Sequence, residues 1–172
     1  MKFHLVDRID SIEPGKRIVT VKALSLAEEY LADHFPAFPV LPGVLMLEAL
    51  VQSAAWLARV EQDWRRSVVV LRSARNVKYG NFVAPGRTLR CEVEALAIED
   101  DGARFKGAGI VDERQAVSAR LELRCFNLAD RGAYLAGADA ELVEQLRRQF
   151  RLIGGPEAVE RAAGHGAAGH AP

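Results

Sequence analysis

The stretch GVLMLEALVQSAAWLARV, residues 43–60, decides the fold. Strong helix formers fill it, and its apolar side chains cover almost the whole circumference of the predicted helix. Such a helix is stable in water only when other elements surround most of it. Its length approaches that of a membrane span, but Glu48, Gln52 and Arg59 interrupt the apolar sequence. We therefore expect a buried core helix.

Strand-like runs lie on both sides of this helix. Upstream, residues 3–12 and 17–22 flank the turn signal Pro14-Gly15, which predicts a hairpin. Downstream, turn signals at Pro85-Gly86 and at residues 100–102 separate further runs, which together predict an antiparallel meander. These runs are residues 67–72, 77–83, 88–98, 104–111 and 116–126. A sheet combined with one buried helix predicts the α+β class.

The C-terminal part of the chain differs in composition from the rest. Residues 1–127 contain the core helix and all the predicted strands, so we expect them to form one domain. Residues 128–163 form an extension with one predicted amphipathic helix, Asp139–Leu152. The Gly/Ala/His-rich residues 164–172 lack the side chains that pack a core, and we expect them to be disordered.

Bulk charge and cysteine usage exclude several functions. Because 23 basic residues balance 23 acidic ones, the chain has no net field that would attract nucleic acid or an anionic membrane surface; the polar residues of the core helix argue against membrane insertion. Cys91 and Cys125 lie in strand-like runs at a spacing that indicates neither a metal site nor a disulfide framework, so we expect buried free thiols. The N-terminal MKFHLVDRID places charges where a signal peptide requires an apolar run, which favours a cytoplasmic protein.

Polar groups embedded in apolar sequence concentrate in residues 34–52, HFPAFPVLPGVLMLEALVQ. The prolines fix the backbone of the loop that follows His34, so its imidazole could be held in one orientation, as a catalytic base requires. Glu48 and Gln52 lie on one face of the predicted helix, where the amide can orient the carboxyl group. Gly43 occupies the predicted first turn, whose free N–H groups and positive dipole end suit an oxyanion.

Structural roles compete with catalytic ones for the same residues. A single His beside Phe35 in a proline-rich loop is more often a structural residue than a catalytic one. Pro42 followed by Gly43 is also an ordinary way to begin a helix. Glu48 is harder to explain without a function, because an ionisable side chain inside a wrapped apolar helix is costly unless it is paired. The remaining histidines have no such surroundings: His4, His165 and His170.

The same stretch resembles a known family. Residues 34–52 closely match the signature HFP-x-x-P-x-x-PG-V-L-x-x-EA-x-x-Q of the FabZ-type 3-hydroxyacyl-[acyl-carrier-protein] dehydratases, including the offset between the His and the Glu. Similarity continues upstream in LVDRIDSIEPGKRIVTVKAL and downstream in VKYGNFVAPGRTLRCEVEAL and ARFKGAGIVDERQAVSARLEL. The resemblance covers residues 5–124.

This resemblance implies a hotdog fold, in which a curved antiparallel sheet wraps one long central helix. It also implies a homodimer, or a trimer of such dimers, with active sites at the subunit interface. There, His34 of one subunit would remove the α-proton of a 3-hydroxyacyl thioester, and Glu48 of the other would protonate the departing hydroxyl. The product would be a trans-2-enoyl thioester, as in fatty-acid synthesis or related lipid or polyketide synthesis.

Binding roles, cofactors and partners follow from the same resemblance. The Gly43 N–H would hold the thioester carbonyl, Gln52 would orient Glu48, and Phe35 and Pro42 would contact the substrate. No metal and no organic cofactor is implied. The partner would be an acyl carrier protein that bears the acyl chain on a phosphopantetheine arm.

Two features keep other interpretations open. The positions after HFP are usually a glycine and a polar residue in the family, whereas this chain has Ala37 and Phe38. A non-catalytic hotdog subunit that binds acyl carriers is therefore an alternative, and a hotdog acyl-thioesterase is another, although the spacing of the His and the Glu disfavours it. An acidic carrier would suit a basic patch, for which Arg72, Arg75 and Lys78 are candidates, but these residues could equally form an ordinary solvated strand face.

Overall fold

The structure is a computed structural model that describes residues 3–167, with side chains described up to residue 162. Its strands are β1 (Arg8–Glu13), β2 (Arg17–Ala23), β3 (Val68–Tyr79), β4 (Thr88–Ile98), β5 (Gly102–Val111) and β6 (Arg114–Phe126). Its α-helices are α1 (Gly43–Glu61), α2 (Ala136–Leu152) and α3 (Gly155–Ala167). All strands pair antiparallel in one sheet with the order β1-β2-β4-β5-β6-β3.

Helix α1 is the centre of the core. It contacts five adjacent strands, from β2 at one side to β3 at the other. Five strands span about 19 Å across a sheet, whereas a helix with its side chains is only about 10–12 Å wide, so the sheet must curve around α1. Leu50 is fully buried at this contact, and Gly107 of β5 lies close enough that an added Cβ would be 3.4 Å from the Leu50 Cδ1. The predicted α+β arrangement around one wrapped helix is confirmed.

The burial of α1 distinguishes a core helix from a membrane-spanning one. The helix is long and apolar enough to span a membrane by composition, but 61% of its most apolar window is buried inside the protein. The expected core helix is therefore confirmed. The two thiols, Cys91 and Cys125, are also free and buried, as predicted.

Strand β3 corrects the predicted strand pattern. The sequence predicts separate strands at residues 67–72 and 77–83, but β3 runs through the intervening residues, because pairing with β6 supplies their hydrogen bonds. The ladder shifts register on both sides of residues 73–75, and Asn76 adopts a positive φ of 53°. The predicted meander holds for β4, β5 and β6 only, since β3 pairs with β6 at the sheet edge and not with β4.

The C-terminal extension contains two helices where the sequence predicts one. The predicted helix at Asp139–Leu152 is part of α2, and α3 follows it directly. Helix α3 begins at Gly155-Pro156, a signal that also suits a helix start, and continues into residues 164–167 of the predicted disordered tail. Residues 168–172 of that tail lie outside the described residues.

The extension packs on the core of the preceding residues. Phe150 of α2 is buried against Trp56 and Trp64, with ring centroids 5.8 and 5.3 Å apart. The Ile9 N–H of β1 donates to the Ile153 carbonyl at 2.8 Å, so backbone hydrogen bonding also joins the extension to the sheet. The proposed division at residue 127 remains a prediction, but the core is shared across it.

Candidate active site

Backbone hydrogen bonds fix the loop that carries His34. The Val40 N–H donates to the His34 carbonyl at 3.1 Å, and Phe35 and Phe38 exchange backbone hydrogen bonds of 3.2 and 2.9 Å. The Leu41 N–H then donates to a carbonyl of the segment after β3, at 2.9 Å. The peptide bond between His34 and Phe35 is cis. This tight loop brings the half-buried His34 side chain to a defined place just before α1.

The surroundings of the His34 ring determine which nitrogen is free. Nδ1 lies 3.2 Å from the Val40 carbonyl oxygen. A carbonyl only accepts hydrogen bonds, so Nδ1 carries the proton of the neutral ring and Nε2 keeps its lone pair. The Phe35 ring stacks on the imidazole with a centroid distance of 4.1 Å. The arrangement presents Nε2 as a base.

Glu48 and Gln52 form a hydrogen-bonded unit on α1. The Gln52 Nε2 donates to the Glu48 Oε1 at 3.0 Å and to the Phe3 carbonyl at 3.0 Å. The Gln52 Oε1 accepts from the Leu5 N–H at 2.9 Å. Both side chains are half-buried. Since one carboxyl oxygen of Glu48 accepts from the amide, the other oxygen is left to hold or release a proton.

Gly43 is the first residue of α1 and lies against an aromatic ring. A Cβ added at Gly43 would be 3.1 Å from the ring of Tyr79, which excludes a larger residue unless that ring moves. Pro42 is the residue before the helix, and its carbonyl accepts from the N–H groups of Leu45 and Met46 at 2.9 and 3.1 Å. As the first helical residue, Gly43 has no intrahelical acceptor for its N–H. That donor is available to an anionic oxygen at the positive end of α1.

Exposed apolar side chains cluster in the segments that carry the site. Phe35 and Phe38 project from the loop, Val44 from the first turn of α1, and Tyr79 and Phe82 from the end of β3 and beyond. The Phe38 and Phe82 rings meet edge to face at 5.4 Å. Apolar surface of this kind usually marks a binding surface or an interface between proteins.

The structure brings some of the predicted site residues together and leaves others apart. Glu48 and Gln52 are joined, and His34 and Phe35 are stacked. Within the described chain, no hydrogen bond or ion pair joins His34 to Glu48. Sequence reasoning did not identify Tyr79 as a neighbour of Gly43, nor the N-terminal segment as a partner of Gln52, because only the folded chain brings these distant residues together.

Comparison with known proteins places this geometry in a family. The sequence profile of the FabA-like domain matches residues 1–120, which is well over half of the chain. The chain belongs to the FabA-like domain family. The match includes the His34 loop and all of α1, and it ends before the C-terminal extension.

Relatives within the FabA-like family are similar over most of their own length. The chain is 34% identical over 119 residues, 69% of its length, to a protein of Clostridium kluyveri named 3-hydroxyacyl-[acyl-carrier-protein] dehydratase FabZ, and it covers 83% of that protein. Proteins of the same name from Caulobacter vibrioides and Geobacillus thermodenitrificans are 37% and 39% identical. These matches span 69% and 76% of the chain and 76% and 88% of the relatives. The predicted resemblance to the FabZ type is confirmed.

Solved structures of low sequence identity share the fold of this FabA-like chain. The dehydratase heterocomplex ApeI:P of Xenorhabdus doucetiae superposes with a TM-score of 0.63 at 16% identity, over 77% of this chain and 90% of that one. A Streptococcus mutans protein solved with acetyl CoA gives a TM-score of 0.55 at 11% identity, over 73% and 91%. With these neighbours and its sheet around one long helix, the protein has the hotdog fold.

Proposed function

We propose that this protein converts 3-hydroxyacyl thioesters carried by an acyl carrier protein into trans-2-enoyl thioesters. The observation that carries the proposal is that the chain holds both groups in fixed orientations: a His34 imidazole with a free Nε2, and a Glu48 carboxyl group hydrogen-bonded to Gln52. Relatives with 34–39% identity bear the name of that activity. The proposed setting is fatty-acid synthesis, or related lipid or polyketide synthesis, in the cytoplasm.

The proposed elimination uses two proton transfers. The His34 Nε2 takes the proton from the carbon next to the thioester carbonyl, and the electron pair of that C–H bond forms the new double bond. The C–O bond to the 3-hydroxyl breaks as Glu48, in its carboxylic-acid form, donates its proton to the departing oxygen. Water and the enoyl thioester leave. The imidazolium and the carboxylate then return to their starting forms by proton exchange through solvent.

Gly43, Pro42 and Phe35 have binding roles in this proposal. Negative charge develops on the thioester oxygen as the α-proton leaves, and the Gly43 N–H at the N-terminus of α1 holds that oxygen. Loss of such a donor typically costs about 2.7–4 kcal/mol of transition-state stabilisation. Pro42 fixes the start of the helix, and the exposed Phe35 offers apolar surface to the acyl chain.

We propose further that the active site is completed by a second copy of the chain. The sheet has two edges, β1 and β3. The extension already uses the Ile9 N–H and the Asp10 carbonyl of β1, whereas β3 has no neighbour on its outer side within the described residues. A strand edge with unpaired backbone groups favours the addition of another strand, and Val70 and Leu71 are exposed on β3. Antiparallel pairing of two β3 strands would bring the end that carries Tyr79 of each copy towards the start of β3 in the other.

Such a pairing accounts for the missing contact between His34 and Glu48. Tyr79 packs on Gly43, close to the loop of His34, so the loop of one copy would approach α1 of the other. His34 from one subunit would then meet Glu48 from its partner. A homodimer, or a trimer of such dimers, satisfies this arrangement.

The acyl carrier would dock on exposed cations of β3 and its neighbour. Arg75 of β3 lies directly opposite Arg120 of β6, which itself lies opposite Lys106 of β5. Such a row of like charges is unfavourable unless an acidic partner covers it. Arg72 is less available, because it pairs with Glu122 at 3.2 Å, and Lys78 is exposed one residue before the end of β3. Opposite charge would steer an acidic carrier to this face.

A single assay tests the activity and separates it from the alternatives. Purified protein is incubated with a trans-2-enoyl thioester of acyl carrier protein, and hydration and thiol release are followed in parallel. Wild-type protein should catalyse hydration without thiol release, and His34→Ala and Glu48→Gln should each lower the rate at least about a hundredfold. Glu61→Gln, an exposed change on the same helix, serves as the control with an unchanged rate. Thiol release without hydration, or no turnover at any chain length, would refute the proposal.

A further inference from the structure

A groove separate from the His34 loop lies between the extension and the rest of the protein. Its volume is about 880 Å³. Helix α2 forms one wall, and residues 4–7, the end of α1 and the beginning of β3 form the other. Helix α2 contributes three leucine side chains, Leu142, Leu146 and Leu152, beside three polar ones. The size suits a small organic ligand.

Arg59 lines this groove and has no hydrogen-bond or ion-pair partner among the described residues. Its side chain is only 9% exposed, and its Nε is buried without a hydrogen-bond acceptor. Among the described residues no carboxylate pairs with it; its guanidinium lies over the Trp56 ring, with Cζ 5.6 Å from the centroid. Burial lowers the pKa of Arg59 to about 10, so the group is still a cation at neutral pH.

A buried guanidinium without an ion-pair partner would be stabilised by a bound anion. Taking a guanidinium out of water is costly, and neither the stacking on Trp56 nor the position in the last turn of α1 matches that penalty. A carboxylate that accepts two parallel hydrogen bonds from the guanidinium would offset that cost. The structure thus leaves a charge-assisted site open in this groove.

The acidic side chains near the groove are committed elsewhere. Asp7 lines it, but accepts from the Ala23 N–H at 2.7 Å and pairs with Lys22 at 3.3 Å. Two further titratable groups line the groove: Arg148, which reaches Glu144 at 3.6 Å, and His4, whose Nδ1 lies 2.7 Å from the Gln149 Nε2. The described groove lining thus offers no carboxylate partner to the Arg59 guanidinium.

We propose that this groove binds an alkyl carboxylate, that is, a free fatty acid, with its carboxylate on Arg59 and its chain along α2. A single buried guanidinium, in a groove that Asp7 also lines, suits a head group of one negative charge better than a phosphate. The apolar wall supplied by Leu142 and Leu146 suits an alkyl tail. Helix α2 lies outside residues 1–120, which match the FabA-like domain, so this site belongs to the part that distinguishes the chain from its family.

The site is distinct from the proposed catalytic one, although both use the same helix. Arg59 follows Glu48 by eleven residues, which places it about 16 Å further along α1 and on nearly the same face. Gln52 lies between them and is tied to the backbone of residues 3 and 5. A bound fatty acid would thus contact the N-terminal segment that also holds Gln52, and binding can be measured whether or not the protein is an active dehydratase.

Binding to the 172-residue chain is measured by isothermal titration with dodecanoate. Two further ligands separate head from tail: 1-dodecanol has the tail without the charge, and acetate has the charge without the tail. Dodecanoate should bind saturably, at least about tenfold more tightly than dodecanol, and acetate should not bind measurably. Equal affinity for dodecanoate and dodecanol would overturn the proposal.

Variants locate the binding within the groove. Arg59→Met should weaken dodecanoate binding at least about tenfold and leave the melting temperature of the unliganded protein unchanged or higher, because the buried charge is gone. Arg151→Met, an exposed change on the same helix α2, is the matched control with unaltered binding. Leu142→Trp, which keeps Arg59 and fills the groove, should also abolish binding and decides the matter if Arg59→Met does not fold. Undiminished dodecanoate affinity in either folded variant would overturn the proposal.

Discussion

The amide of Gln52 shows how one side chain can fix the orientation of another. Its oxygen faces the Leu5 N–H, which only donates, and its nitrogen faces the Phe3 carbonyl, which only accepts. The amide therefore has one orientation, in which Nε2 donates to Glu48. The sequence predicts the pairing of Glu48 with Gln52 from their spacing on the helix. It does not predict Phe3 and Leu5, because nothing local indicates partners so distant in the chain.

Gln52→Met removes this amide and keeps the length of the side chain. Glu48 then loses its hydrogen-bond donor, so we expect kcat for enoyl hydration to fall about tenfold while KM changes little, since Gln52 acts through Glu48 and not on the substrate. Steady-state kinetics over a range of substrate concentrations measure both constants. Gln115→Met, at an exposed position of β6, is the control. A rise in KM with kcat unchanged would mean that Gln52 binds the substrate directly.

Other residues of functional interest carry weaker signals in the sequence. Arg59 stands out only as a charge in an apolar helix, and its lack of a partner becomes visible once its burial is known. Tyr79 looks like any aromatic residue near the end of a strand. Its contact with Gly43 depends on how β3 lies beside the start of α1. Chemistry concentrated in one segment is predictable, whereas contacts between segments are not.

The sequence pattern predicts the long regular helices and strands well, but it does not predict the irregular ones. The bounds of α1 and β4 agree closely with the periodicity and with the turn signals around them. Strand β3 does not, because its middle is polar and becomes a strand through pairing with β6. Helix α3 was not predicted, because its glycine- and alanine-rich end indicates disorder and its position depends on packing against β1.

A carboxylate near the start of helix α2 adds hydrogen bonds to the packing of Phe150. Asp139 accepts hydrogen bonds from the Ser67 hydroxyl and from the N–H groups of Leu128 and Ala129. Burial on its own would raise the pKa of Asp139, but these hydrogen bonds outweigh it and hold the pKa below its usual value. The ionised carboxylate thus ties the extension to the beginning of β3.

Asp139→Asn should loosen this anchor in a pH-dependent way. A carboxyl group with a lowered folded-state pKa contributes its full stabilisation above about pH 3.9, the unperturbed value, and loses it as the pH falls through the folded-state pKa. The variant should therefore show a lower urea midpoint and faster amide exchange in α2 at pH 7, and the difference should shrink in acid. Glu141→Gln on the same helix is the control. A difference that is constant from pH 7 into the acid range would exclude the ionised carboxylate as the cause.

For the whole molecule, the main question is whether each active site combines residues from two subunits. If each site takes His34 from one chain and Glu48 from the other, a dimer of His34→Ala with Glu48→Gln has one intact site and one doubly defective site. Co-refolding of equal amounts yields about half mixed dimers, so about a quarter of wild-type activity should return. Two different affinity tags confirm that mixed dimers have formed, and sedimentation gives their mass.

The control for this experiment mixes His34→Ala with the double variant His34→Ala/Glu48→Gln. No combination of these chains contains an intact site, so no activity should return. If the first mixture also remains inactive although mixed dimers are present, His34 and Glu48 must act within one chain.

The unequal edges of the sheet have a consequence for assembly. Among the described residues, the C-terminal extension occupies the Ile9 N–H and the Asp10 carbonyl of β1, whereas no element lies on the outer side of β3. In two copies joined through β3, the outer strand at each end of the combined sheet would be a β1 strand covered by the extension. The sheet could therefore not add further strands. The extension would thus prevent fibre formation, because a dimer joined through its β3 edges would have no free edge for further strand addition.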